Sequence, residues 1–166
     1  MERTWEPVIF DPEGDVDWEY RPGNDPEFTF QFNRHRFFIC LGQAYWLTGE
    51  DKYARHFVRL LMSWITGVKR TEETEKTTWR ILETGIRGEF WVKAMRYFKD
   101  SPYVTDEVVD AFYSCLVEHA EFLIQMHSPY RYMSNWGVIE NHGLFEIGIA
   151  MPDEERRKRY TSIALE

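Results

Sequence analysis

From Phe32 onward, apolar side chains recur every three or four residues, and short polar or Gly- and Pro-bearing stretches cut that recurrence into pieces of helical length. Phe37, Leu41, Ala44, Tyr45 and Thr48 keep this spacing and predict a first helix near 33–47. "TGED" then turns the chain. Asp51 is placed to cap a second helix through about Thr66, with Phe57, Leu60, Leu61 and Trp64 as its apolar stripe. Beyond the polar "GVKRTEETEKTT", a third helix is predicted from about Trp79 to Phe98. Thr105 is placed to cap a fourth, whose inward face reads Val108, Phe112, Leu116, His119 and Leu123. "HSPYRYM" interrupts again before a fifth helix from about Ser134 to Ala150. Pro152, with acids ahead of bases, opens a sixth.

These elements describe an all-α chain of about six helices joined by short loops, which favour antiparallel neighbours. Periodicity leaves a bundle, a solenoid and an arc of an α/α toroid equally open, and no sequence repeat of 20–50 residues stands out. Residues 1–30 carry acids, prolines and glycines around "DVDWEYRPGNDPEF" and read as an extended N-terminal arm, leaving 31–166 as the helical domain. The helical pattern is still running at Glu166, so the expectation is a segment of something larger.

Composition narrows the possible functions. The chain has 166 residues, enough for one domain with a sizeable core, and aromatics make up 17% of it. Carbohydrate clefts use aromatic faces, although any one ring reads first as core. The net charge of −8 argues against a nucleic-acid surface but leaves an anionic small substrate open, because local arginines can outweigh the global sign. No apolar run is long enough to span a bilayer, and "MERTWEPVIF" lacks the features of a secretory signal. Cys40 and Cys115 sit in apolar helical patterns and read as buried thiols. Phosphate-loop, CxxC and HExxH motifs are absent, and His35, His56, His119, His127 and His142 have no ligand spacing. Neither a metal nor another cofactor is expected.

Three stretches carry candidate chemistry. In "WRILETGIRGEF", Arg80, Glu83 and Arg87 fall at i, i+3 and i+7, on one face that lines either a groove or solvent. Gly85 and Gly88 nearby weaken a helix and call for a packing reason. In "FQFNRHRFF", Asn33 either caps a helix or, with Arg34, contacts a ligand, beside Phe30 and Phe32. In "SNWGVIENHG", Asn135 lies in the first turn of its helix, where unpaired N–H groups, the dipole and the side-chain amide together suit a carboxylate. Trp136 offers an apolar wall, and Glu140 and His142 follow. Simple capping by Ser134 or Asn135 is the alternative.

Ser134-Asn135, then Glu140, then "GLFEIGIAMPD" resembles the heparinase II/III-like polysaccharide lyases, specifically their N-terminal α/α-toroid domain. "DWEYRP", "FQFNR", "TGEDKYAR" and "WRILETGIR" are similar to further landmarks of that family, in the same order along nearly the whole chain. The chain departs from the pattern at Trp136, where some members have His.

The resemblance implies antiparallel helical hairpins forming part of an α/α toroid. It implies β-elimination on a uronic-acid-containing acidic polysaccharide, heparan sulfate-like or alginate, with Asn135 neutralising the uronate carboxylate. Asn33, Arg34, Arg80, Glu83, Trp136, Glu140 and His142 become candidate substrate contacts. Further toroid helices with a catalytic Tyr, and a β-sandwich domain with a catalytic His, are expected downstream. The segment alone would then be inactive and prone to self-association, and a periplasmic or secreted bacterial setting is implied. Two alternatives stay open: a glycoside hydrolase using Glu83 and Glu140 as its acid pair, and a non-catalytic helical sugar-binding scaffold.

Overall fold

A computed structural model describes residues 14–129 and 133–166, so the first part of the expected arm and the Tyr130–Tyr132 portion of "HSPYRYM" lie outside the described residues. Among the described residues the regular structure is helical throughout: α1 (Pro26–Phe32), α2 (Phe37–Thr48), α3 (Asp51–Gly67), α4 (Ile81–Phe98), α5 (Asp106–Gln125), α6 (Asn135–Ala150) and α7 (Glu154–Leu165).

Local chemistry explains the boundaries. Helical structure begins inside the stretch read as an arm, because Asp25 accepts from the Glu27 N–H and Pro26 presets φ for the first turn. Asn33 ends α1 rather than capping α2. Gly49 closes α2 in the left-handed conformation, at φ 67°, and donates to the Tyr45 carbonyl. Asp51 is the first residue of α3, one place inside the cap position held by Glu50. Thr105 does occupy the cap position of α5, but its hydroxyl makes no capping bond. Ser134 caps α6, its Oγ accepting from the Gly137 N–H at 3.1 Å, and Asp153 caps α7 through the Arg156 N–H at 2.8 Å.

The helices form two layers. α2, α4 and α6 stand side by side in the inner layer, and α3, α5 and α7 run back along the outside. The outer layer continues from α3 to α5 through direct packing and from α5 to α7 through Glu121, which accepts from Arg159 and from the Tyr160 hydroxyl. The inner helices run parallel: Arg34, His35 and Trp46 meet Glu83, Trp91 and Tyr97 along α4, and Gly85 and Gly88 of α4 meet Glu140 and Ile147 along α6. All three N-terminal ends therefore gather at one end of the arc.

The seam between α4 and α6 is a backbone-to-backbone contact. A methyl group at Gly143 would sit 2.2 Å from the Gly85 carbonyl oxygen, and one at Gly88 would sit 2.5 Å from Ile147 Cδ1. This is the packing reason for the glycines in the third predicted helix. α4 is buried almost all round from Ile81 to Gly88. By contrast α3 and α5 keep one wet face, as outer-layer helices should.

Trp64, Trp79 and Trp91 fill the core between the layers, with Phe57 stacked on Phe98 at 4.3 Å. Cys115 is buried as expected; Cys40 is exposed, because α2 is an edge helix with an uncovered outer side.

Candidate functional site

Arg87 sits deepest, on the buried side of α4. Its Nη1 donates to the backbone carbonyls of Asn33 (3.0 Å) and Thr78 (2.8 Å), and its Nε donates to His119 Nε2 at 2.9 Å. The Trp64 ring lies 4.1 Å from its Cζ. Burial pulls this guanidinium down to about 9, still protonated at neutral pH. Because His119 accepts from Arg87, its proton is on Nδ1, which donates to the Cys115 carbonyl. His35, at φ 53°, accepts from the Trp91 indole N–H at 2.8 Å. Burial and the Arg87 charge hold both imidazoles well below the ordinary histidine range, so both are neutral parts of the core.

Asn33 belongs to the same buried framework. Its Nδ2 donates to the Trp18 and Thr29 carbonyls, and its Oδ1 accepts from the Trp64 indole at 2.8 Å. The side chain is fully buried, and its amide is engaged within the protein rather than offered to a ligand.

Above this framework, at the shared N-terminal end of the inner helices, the structure brings together Phe30, Arg34, Arg80, Glu83 and Trp136. Arg80 does not lie on the α4 face with Glu83 and Arg87; at ψ 135° it is the residue before the helix, and that turn folds its side chain back over the first turn. Its Nε donates to Glu83 Oε2 and its Nη2 to Oε1 at 2.7 Å. Arg34 approaches the same carboxylate from the α1–α2 junction, with Nη2 2.8 Å from Oε1. The Arg80 guanidinium lies 3.5 Å from the Phe30 ring centre and 5.1 Å from that of Trp136. Glu83 is wholly buried, whereas the Arg80 side chain is 22% exposed.

The Glu83 carboxylate is wholly buried and engaged by two guanidiniums rather than turned towards a sugar, which weakens the pairing of Glu83 with Glu140 required by a hydrolase. Phe30 is the participant that sequence reasoning left without a role. An aromatic four positions before an arginine was the available signal, but nothing local says that it will stack on a different arginine.

α6 supplies the other half of the site. Asn135 is its first residue and is exposed, and Trp136 beside it is 40% exposed. Ser134 satisfies the Gly137 N–H, so the cap is in place without the Asn135 amide. Glu140 is buried, with its Cα against Gly85 at the helix seam. His142 is not part of this group. It lies further along α6 with Nε2 3.5 Å from Glu89 Oε1, where Lys93 and Glu146 complete a separate ion cluster. Among the described residues no three His, Cys, Asp or Glu side chains are grouped to hold a metal ion, and no helix is long and apolar enough to cross a membrane.

Comparisons with known proteins agree with this architecture. The family model described as Heparinase II/III N-terminus matches residues 2–166. A heparin-sulfate lyase of Bacteroides thetaiotaomicron is 28% identical over 159 residues, covering 95% of this chain and 22% of that protein. One from Pedobacter heparinus is 27% identical over 167 residues, covering 94% of this chain and 24% of that protein. The chain thus spans less than a quarter of the length of these relatives. Among solved structures, the heparan sulfate lyase HepC from Pedobacter heparinus superposes with a TM-score of 0.84 at 22% identity, over 98% of this chain and 25% of that one. Heparinase III superposes with a TM-score of 0.80 at 28% identity, over 92% and 23%. The two-layered arc is part of an α/α toroid.

Proposed function

Because the chain belongs to the heparinase II/III N-terminus family, we propose that it is the N-terminal part of the catalytic domain of a bacterial polysaccharide lyase. Its substrate is an acidic polysaccharide containing uronic acid, of heparan sulfate type rather than alginate, in keeping with the names its relatives carry. A secreted or periplasmic setting fits a substrate of that size.

β-Elimination removes the proton on C5 of the uronate, alpha to the carboxylate. The electron pair left behind spreads onto the carboxylate, then forms the C4–C5 double bond as the C4–O bond breaks, and the departing oxygen takes a proton. The obstacle is charge, since an ionised carboxylate must become still more negative. A fixed amide donor at the positive end of a helix meets that need. Three features support Asn135 in that role: the residue is exposed, its helix is already capped by Ser134, and the backbone N–H groups of Asn135 and Trp136 belong to the same first turn. This exposed Asn135 beside Trp136 is the observation that carries the reading. The proton-transfer groups are assigned to the remaining length that the relatives possess.

The test is the ultraviolet absorbance of a 4,5-unsaturated uronate formed by the full-length protein on heparan sulfate. Asn135→Ala is expected to lower kcat roughly 100- to 1,000-fold. Reducing sugar released without that absorbance would instead make the protein a hydrolase.

A further inference from the structure

We infer that Arg80 is a substrate-specificity residue. It takes an oxyanion substituent, sulfate or carboxylate, of the polysaccharide held at Asn135, on the other side of Trp136. This rests on the lyase reading for its geometry but is tested separately from it.

A guanidinium has five N–H donors on two usable edges. Arg80 gives Glu83 its side edge, Nε and Nη2, which is a complete bidentate pair. Its end edge, formed by Nη1 and the second Nη2 hydrogen, has no hydrogen-bond partner among the described residues. The same carboxylate is already held by Arg34, through Nε at 3.2 Å and Nη2 at 2.8 Å. One buried negative charge therefore faces two positive ones, and the surplus lies on the partly exposed Arg80 rather than on Glu83.

A plain structural salt bridge needs neither the second cation nor the aromatic surroundings. Phe30 and Trp136 flank the guanidinium and limit its movement, so its open edge is oriented before a ligand arrives. Trp136 is also the direct neighbour of Asn135, so the open edge and the proposed carboxylate site border the same ring. In a chain of net charge −8, a preorganised cation at the meeting point of three helix N-termini selects an anionic group.

The experiment measures binding of two tetrasaccharides, one N- and O-sulfated and one unsulfated with the same uronates, by calorimetry. It uses full-length protein carrying Asn135→Ala so that turnover is slow compared with the titration. Within that background, Arg80→Lys keeps the charge and loses the fork. Trp136→Ala removes an exposed wall at little cost to folding, and Glu83→Gln releases the positioning contact. The readout is the ratio of the two affinities, which a reduced folded fraction would leave unchanged.

Sulfate recognition predicts that Arg80→Lys lowers the ratio about tenfold, with a smaller drop in the other two variants. Equal tenfold losses on both ligands, in protein whose circular dichroism is unchanged, would make the bound oxyanion a carboxylate. Unchanged affinities would overturn the inference. A protein that yields no unsaturated product yet shows the altered ratio would fail the lyase reading alone.

Discussion

Replacing Arg87 by Met would leave the Asn33 and Thr78 carbonyls and His119 Nε2 without their donor in a dry core. The expected loss is about 3–5 kcal/mol, read as a lower urea midpoint. Its neighbours in the motif behave differently, although spacing alone treats Arg80, Glu83 and Arg87 as one row. Arg80 broke the row because it is the residue before the helix. Glu83 and Arg87 were legible as one face because turn periodicity is local. The partners were not, because Phe30, Arg34 and His119 come from elements whose approach depends on how the layers stack. Asn33 shows the same gap: its place at a helix end could be read, but burial by Trp18 and Trp64 from distant segments could not.

Between elements, the glycine seam makes a sharp contrast available. Gly143→Ala drives a methyl group into the Gly85 backbone and is expected to cost about 3 kcal/mol or more, because neither helix can move away cheaply. Gly67→Ala, at the open end of α3 with nothing nearby, is expected to be neutral or to stabilise by up to about 1 kcal/mol. Thermal unfolding of the two variants checks both. Most helices were legible to within a few residues, since each carries its own apolar spacing. α1 was missed because seven residues give too few turns for a period to show, and its cap and N-terminal Pro were the only cues. The cost of Gly85 and Gly88 was visible in the sequence, but the helix they admit was not.

For the molecule as a whole, the two buried imidazoles link stability to pH. In the unfolded chain His35 and His119 take up protons below about pH 6.5, whereas in the fold burial and Arg87 prevent it. Their contribution is therefore complete above about pH 6.5 and is lost as the pH falls, by up to about 2.7 kcal/mol per pH unit when both take part. Urea unfolding between about pH 7 and pH 5 should show that slope, and His119→Gln should roughly halve it. The arc also leaves apolar side chains uncovered at its edges: Trp46 and Leu47 are 71% and 86% exposed, and Val138 on α6 is 65% exposed. In isolation this chain is expected to self-associate. Sedimentation showing only monomer at micromolar concentration would contradict that. The all-α class was legible from periodicity, whereas the toroid was legible only through the ordered landmarks, because an arc and a bundle bury the same stripes.

Arg87 also imposes an order in time. A ribosome releases the chain from its N-terminus, so Asn33, Thr78 and Arg87 emerge well before His119, which lies 32 residues beyond Arg87. Until α5 arrives, the guanidinium has neither its imidazole acceptor nor the outer wall that dries its pocket, and the incomplete core must hold a hydrated charge. Early helices can form, but the pocket around Arg87 stays incomplete. The emergence of α5 acts as a latch, and nascent chains ending short of His119 should remain open to proteases until it has been made.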